Sequence, residues 1–288
     1  MGNSDQTANQ STPSTAATAI FDDAAYIGTI PEQYHRGIGP FLFEPYARHT
    51  AERVKARGPE RLLETACGTG IVTRRLHEVL REGARLVASD LNDPMLSVAR
   101  KTVGNAPRVE WARADMCKLH FADNEFDAVV CQFGLMFVPD KLAAVREARR
   151  VLKRGGSLLL TTWAPLERNP IVKVAHHAIA TVFPEDPPQY LARAPFGYGD
   201  PDMLTELLIA GGFRDVVVDV VEKAAAAPSA YELAVGLIEG YPLIDEIRLR
   251  DEARLPAVVD AVTNAIARQF GAGPVNSRIA ALVGSAVA

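Results

Sequence analysis

One short stretch constrains this chain more than any other. Glu64-Thr65-Ala66-Cys67-Gly68-Thr69-Gly70 closes an apolar run, Arg61–Cys67, and opens a segment of helical period, Ile71–Arg81. Val72, Leu76, Val79 and Leu80 share one face of that segment, and Gly83 stops it. Gly68 and Gly70 lack a Cβ, so the backbone can turn tightly and a ligand can approach it closely. The helix that follows points free N–H groups at the same place. A lone G-x-G is weak evidence, and a plain tight turn is the bland alternative. The strand before it and the helix after it make the stronger case for a cofactor loop.

The alternation continues downstream. Arg85–Ser89 reads as a second strand, followed by a helix opened by Asn92 or Asp93 with Pro94 in its first turn. Val109–Ala112 and Phe126–Cys131 read as the third and fourth strands. Pro139 and Asp140 open a helix carrying Leu142, Val145, Ala148 and Leu152; Gly155–Gly156 ends it, and Ser157–Thr162 forms a fifth strand. Met203–Ala210 and Arg214–Val221 form another helix–strand pair. Strands linked by short helices imply right-handed crossovers and a mostly parallel α/β sheet with helices on both faces. Segments 20–50, 165–199 and 224–273 break this rhythm and are rich in aromatics, Pro and helical pattern. They are candidates for a helical cap over the carboxyl edge of the sheet, where open α/β sheets bind ligands; loop decoration is the plainer reading.

Composition narrows the partners. The formal charge is −4 and no polybasic run appears, which disfavours nucleic acid and anionic membranes. No apolar run reaches the roughly 20 residues of a membrane span. The scattered Cys67, Cys117 and Cys131 fit neither a disulfide framework nor a zinc site, and they suit a cytoplasmic protein; no metal is expected. Residues 1–19 are polar and carry nothing to bury, so they read as a disordered tail, which leaves 20–288 as one domain. Oligomeric state is not legible.

The loop also discriminates among nucleotides. A dinucleotide fingerprint wants a small residue at position 73, where this chain has Thr73, and a pyrophosphate site would gain from a basic neighbour in the turn, which is missing. A P-loop is excluded, since no Gly-Lys-Ser/Thr follows. Asp90 ends the second strand, 20 positions after Gly70, where a carboxylate can accept both ribose hydroxyls. Capping of the next helix is its alternative role, but Asn92 and Asp93 can fill that one. Asp115, after the third strand, can accept from an adenine amino group.

Taken in order, LLETACGTG, ASDLNDPML, ARADMCKLHFADNEFDAVVCQFGLMFVPDK and ARRVLKRGGSLLLTTW resemble the class I S-adenosylmethionine-dependent methyltransferases, nearest the ubiquinone/menaquinone biosynthesis type. The resemblance covers about residues 45–222. It implies S-adenosyl-L-methionine as cofactor and a Rossmann-like sheet of seven strands whose last strand, expected at Arg278–Val287, runs antiparallel. Carried over residue by residue, Glu64, Thr65, Ala66, Gly68 and Gly70 match the loop around the methionine half of the cofactor, with Thr73 close by. Glu64 stands where aspartate is commoner. Asp90 matches the ribose carboxylate, Leu91 its neighbour beside the adenine, and Asp115 with Met116 the adenine edge. Gln132 and Phe133 match the segment beneath the sulfonium, and Tyr34 a tyrosine near the cofactor.

Methyl transfer from a sulfonium is a direct displacement, which asks the protein chiefly for alignment and exclusion of water. Phe133, Phe137 and Tyr34 can supply aromatic faces there; Phe133 and Phe137 read equally well as core. Among candidates for a general base, His35 beside Tyr34 leads; His120 reads as a loop residue, and His176 and His177 sit on a cap helix. The cap aromatics Phe41, Phe43, Tyr46, Trp163, Phe183, Tyr190, Phe196, Tyr198 and Tyr241 favour a small apolar or aromatic acceptor, methylated on carbon or oxygen; for most of them packing is the simpler role. The competing functions are a catalytically silent S-adenosylmethionine-binding sensor or scaffold and an NAD-dependent dehydrogenase.

Overall fold

The strands alternate their side chains between two apolar layers, as period-two geometry demands. A computed structural model describes residues 22–288, so the tail expected at 1–19 lies outside the described residues. In β1 (Arg61–Thr65), Leu62 faces one layer and Leu63 the other; in β4 (Phe126–Gln132), Ala128 and Val130 face the first, Val129 and Cys131 the second. The remaining strands are β2 (Arg85–Asp90), β3 (Val109–Arg113), β5 (Leu152–Trp163), β6 (Arg214–Ala227) and β7 (Val275–Val287). Their order across the seven-stranded sheet is β3-β2-β1-β4-β5-β7-β6. β1 to β5 are mutually parallel, and β7 runs antiparallel to both β5 and β6. The antiparallel last strand is thus where the sequence resemblance put it, starting three residues earlier, at Val275.

Two boundaries differ from expectation. β5 begins at Leu152, ahead of Gly155–Gly156 rather than after them; the helix before it, α5 (Lys141–Val151), ends where Leu152 turns extended. β6 runs on through Ala227, into the segment expected to start a cap, because β7 is long enough to pair with it residue for residue up to Ala227↔Val275.

Helices cover both faces. Val145, Ala148 and Val151 of α5 and Leu204 and Leu208 of α8 (Pro201–Ala210) fill one layer. Val54 of α2 (Glu44–Arg57), Leu76 of α3 (Ile71–Val79) and Leu96 of α4 (Asp93–Val103) fill the other. The extra helices cluster with that second layer: α1 (Ile30–Gln33), α6 (Pro170–Val182), α7 (Tyr190–Arg193), α9 (Ala230–Glu239), α10 (Leu243–Asp251) and α11 (Leu255–Phe270). α11 packs on α6 and α9, and α9 packs on a π-helix, Tyr34–Phe43. The last contact is backbone on backbone: a Cβ built on Gly37 would lie 2.5 Å from the Gly236 Cα. No helix among the described residues is long and apolar enough to cross a membrane.

Candidate active site

Two turns of unusual backbone meet at the carboxyl ends of β1 and β4. Ala66 (φ 50°) and Phe133 (φ 57°) both adopt the left-handed region, which is uncommon outside glycine and a true outlier for a residue as bulky as Phe. Between them Gly134 packs so tightly that a Cβ would stand 2.4 Å from the Ala66 Cβ. Strain of this kind persists where surrounding structure over-determines it, and it collects at functional sites. Gly70 (φ 80°) closes the first turn and starts α3; a Cβ there would press on the Ala99 backbone of α4 at 3.0 Å.

A cavity of about 320 Å³ opens over these turns. Ala66, Gly68, Asp90, Leu91, Asp115, Met116, Gln132, Phe133 and Tyr34 all line it, so the structure brings together most of the residues singled out above. Glu64, Thr65, Gly70 and Thr73 do not line it; they are buried beside it, or in Gly70's case close the turn. Its walls include Tyr26, Phe43 and Phe137, and among the described residues no Lys, Arg or His lines it.

Asp90 is the polar centre. It is 6% exposed; Oδ2 accepts the Gly68 N–H at 2.8 Å and Oδ1 the Asn92 N–H at 2.9 Å. Burial pushes its carboxyl up, and those two donors pull it back. The expectation that Asn92 or Asp93 would cap α4 and leave Asp90 unencumbered is corrected here. The Asn92 side chain makes no cap; its Nδ2 donates to the Ala24 carbonyl at 3.2 Å, and Asp90 serves the helix start itself. Each Asp90 oxygen still has a lone pair toward the cavity.

Glu64 lies below, 2% exposed, and its Oε2 finds no hydrogen-bond partner among the described residues. Desolvation raises its carboxyl to about 8, against a smaller pull from the Thr73 hydroxyl, whose contact falls outside normal bond geometry; Asp90 adds a further upward push. The two neighbouring carboxylates thus differ in surroundings: the N–H donors at Asp90 favour its charged form, whereas Glu64, without such donors, is a neutral acid near pH 7.

Gln132, which resemblance sets beneath the sulfonium and which lines the cavity, also ties two elements together. Phe43's carbonyl can only accept, so the amide nitrogen faces it at 3.3 Å and Oε1 takes the Thr50 hydroxyl at 2.9 Å. The amide therefore pins the end of the π-helix to β4, which sets the Phe43 ring against Tyr34 (centroids 4.7 Å) and Phe133 (5.3 Å). Gln132→Ala leaves both partners unpaired. It should lower the unfolding free energy by about 1–2 kcal/mol, read by urea melts, while calorimetry finds the cofactor affinity unchanged.

The histidines lie elsewhere. His35 does not line the cavity; its Nδ1 pairs with the Thr69 hydroxyl at 3.1 Å, and burial with Arg74 and Arg36 nearby pushes its pKa down. His120 is exposed against Phe121, and His176 and His177 lie on α6, away from the cavity lining. Of the cap aromatics, Phe43 alone reaches the cavity. Trp163 stacks on Phe133 at 4.0 Å from within the core, and the single Tyr46 O–H is shared between the Val221 and Ile279 carbonyls, at 2.8 and 3.0 Å. Sequence reasoning missed Tyr26 and Asn92 as lining residues. Tyr26 belongs to no helical or strand period, and only its place just ahead of the aromatic-rich Tyr34–Tyr46 stretch marked it.

Comparison with known proteins accords with this arrangement. A family model described as "Methyltransferase domain" matches residues 63–160. The ubiquinone/menaquinone biosynthesis C-methyltransferase UbiE of Shewanella frigidimarina is 32% identical over 183 residues, covering 59% of this chain and 73% of that protein. The chain belongs to the class I S-adenosylmethionine-dependent methyltransferases. Solved structures share the fold: a methyltransferase of Bacillus halodurans (TM-score 0.53, 21% identity, 83% of this chain and 97% of that one). So does the phosphoethanolamine N-methyltransferase 2 of Haemonchus contortus with S-adenosyl-L-methionine bound (0.56, 20%, 92% and 58%). The cofactor of this methyltransferase is S-adenosyl-L-methionine. Its residues suit that group: a ribose-competent carboxylate at Asp90, a glycine loop tied to it through the Gly68 N–H, and the aromatic rings of Tyr34 and Phe133 lining the same cavity.

Proposed function

We propose that this methyltransferase methylates a small, apolar, aromatic metabolite, on a ring carbon or a ring hydroxyl, with a quinone-type ring as the best-supported acceptor. One observation carries the reading. Tyr26, Tyr34, Phe43, Phe133 and Phe137 line the cavity together with Asp90, and among the described residues no Lys, Arg or His lines it to hold a phosphate. The Shewanella frigidimarina relative, a C-methyltransferase of ubiquinone/menaquinone biosynthesis, agrees with a ring-carbon acceptor. We assign the ribose to Asp90, the adenine side to Leu91, Asp115 and Met116, and the methionine side to Ala66 and Gly68, with Glu64, Thr65, Gly70 and Thr73 supporting the loop from below.

The sulfonium supplies a good leaving group when bound, and the chain's residues align and enclose. Tyr34 and Phe133 offer ring faces, which favour a cation without the tight ground-state grip of a carboxylate. We assign no general base. Burial holds the Tyr34 phenol protonated, and His35 is turned to Thr69, so the acceptor relies on its own nucleophilicity. The free Cys67, Cys117 and Cys131 fit a reducing cytoplasm.

Incubation with methyl-labelled S-adenosylmethionine and a metabolite extract tests the reading. Label is expected in an apolar aromatic product. Cofactor binding without any label transfer would favour the sensor alternative instead.

A further inference from the structure

The segment ahead of α1 crosses the cavity and is tied down on both sides. Asn92 of α4 holds the Ala24 carbonyl, and Arg193 of α7 bonds the Asp23 carboxylate through Nε at 3.1 Å while its Nη2 reaches the buried Glu246 at 2.6 Å. Within this tie lie two buried phenols. Tyr190 O–H donates to the Asp23 main-chain carbonyl at 3.2 Å, and the Tyr26 and Tyr190 oxygens stand 3.3 Å apart. Both contacts are long but within bonding range.

The direction of this chain follows from its end. A main-chain carbonyl can only accept, and a phenol has one proton. Tyr190 spends its proton on Asp23, so its oxygen accepts from Tyr26. Tyr26's proton is then committed as well, and only lone pairs remain on its oxygen. Reversing the order would leave the Asp23 carbonyl without this donor. Burial favours the neutral form of both phenols, so neither is an anion that would blur the pattern.

Tyr26 lines the cavity, edge-on to Tyr34 (5.7 Å) and to Phe137 (5.8 Å). We infer that Tyr26 is a one-way hydrogen-bond acceptor facing the methyl acceptor, so that the acceptor must bring an O–H or N–H donor on its apolar ring. This rests on the small aromatic acceptor proposed above and adds the group that selects it. A site built to bond a hydroxyl rejects the analogue that lacks it more strongly than an apolar wall rejects a change of size.

The test uses the full chain saturated with S-adenosylhomocysteine and two probes of nearly equal shape, 2-naphthol and its methyl ether, 2-methoxynaphthalene. At neutral pH the naphthol should bind at least about tenfold more tightly than the ether. Tyr26→Phe should erase the difference. Tyr190→Phe, which touches no ligand, should free the Tyr26 proton for the ether oxygen and so raise ether affinity; a purely structural role for Tyr190 predicts no such gain. Equal binding of the two probes by the wild type, or a preference that survives in Tyr26→Phe, would overturn the inference alone. So would a Tyr26→Phe variant that weakens S-adenosylhomocysteine binding while keeping the naphthol preference, since the lone pair then serves a ribose hydroxyl. Binding of S-adenosylhomocysteine with neither probe taken up would overturn the aromatic-acceptor reading itself.

Discussion

Asp90→Ala should weaken S-adenosylmethionine binding by about 2–3 kcal/mol, roughly 30- to 150-fold, as measured by titration calorimetry. The estimate sits high in the usual range for a hydrogen-bonded carboxylate because two losses combine. The ribose loses its acceptor, and the Gly68 and Asn92 N–H groups lose theirs, at 2.8 and 2.9 Å in the free protein. The Gly68 bond ties the cofactor loop after β1 to the end of β2, so the loop loosens where the ligand must sit. Asp90→Asn separates the effects: an amide keeps one acceptor oxygen but cannot serve both N–H groups and two hydroxyls. It should fall between wild type and Ala. Full affinity in Asp90→Ala would remove Asp90 from the cofactor site.

Much of this site was legible because its residues obey local rules. The Gly68–Gly70 turn needs only short-range backbone chemistry, and Asp90 ends a continuously buried strand that runs parallel to β1, which puts it at the sheet's carboxyl edge. The seven-stranded sheet with its antiparallel last strand followed from the resemblance, and the alternation of strand and helix made its parallel part physically sensible. What escaped the sequence was decided by distant partners. Whether Asn92 or Asp90 serves the start of α4 depends on the Ala24 carbonyl arriving from the far end of the chain. Gln132 could not be recognised as a clamp without Thr50 and Phe43 beside it, from another helix. His35 looked like a base because Tyr34 precedes it, yet consecutive residues of a π-helix point different ways; the ring of Tyr34 enters the cavity and His35 turns to Thr69. The extra strand length of β6 and β7 was hidden by alanines, which fit helix and strand alike until pairing decides.

Glu64→Gln should stabilise the ligand-free protein at alkaline pH and change it little near pH 5. The folded carboxyl sits at about 8, well above the roughly 4.3 of an unfolded glutamate. Between those values the native state binds more protons than the unfolded one, so stability falls as pH rises through this window and levels off above it. Below it both states are protonated and the contribution is fully present. The shift corresponds to at most about 5 kcal/mol, and relaxation of the loop or entry of water around Oε2 will reduce it. Glutamine keeps the shape and stays neutral in both states, so it does not incur this loss. The gap in unfolding free energy between Gln and wild type, followed by urea melts at intervals between pH 5 and 9, should therefore open steadily toward the alkaline end. A gap that is flat across the range would mean that Glu64 is ionised in the folded protein. In that case a donor must reach its Oε2, and the reading of Glu64 as a buried neutral acid would not hold.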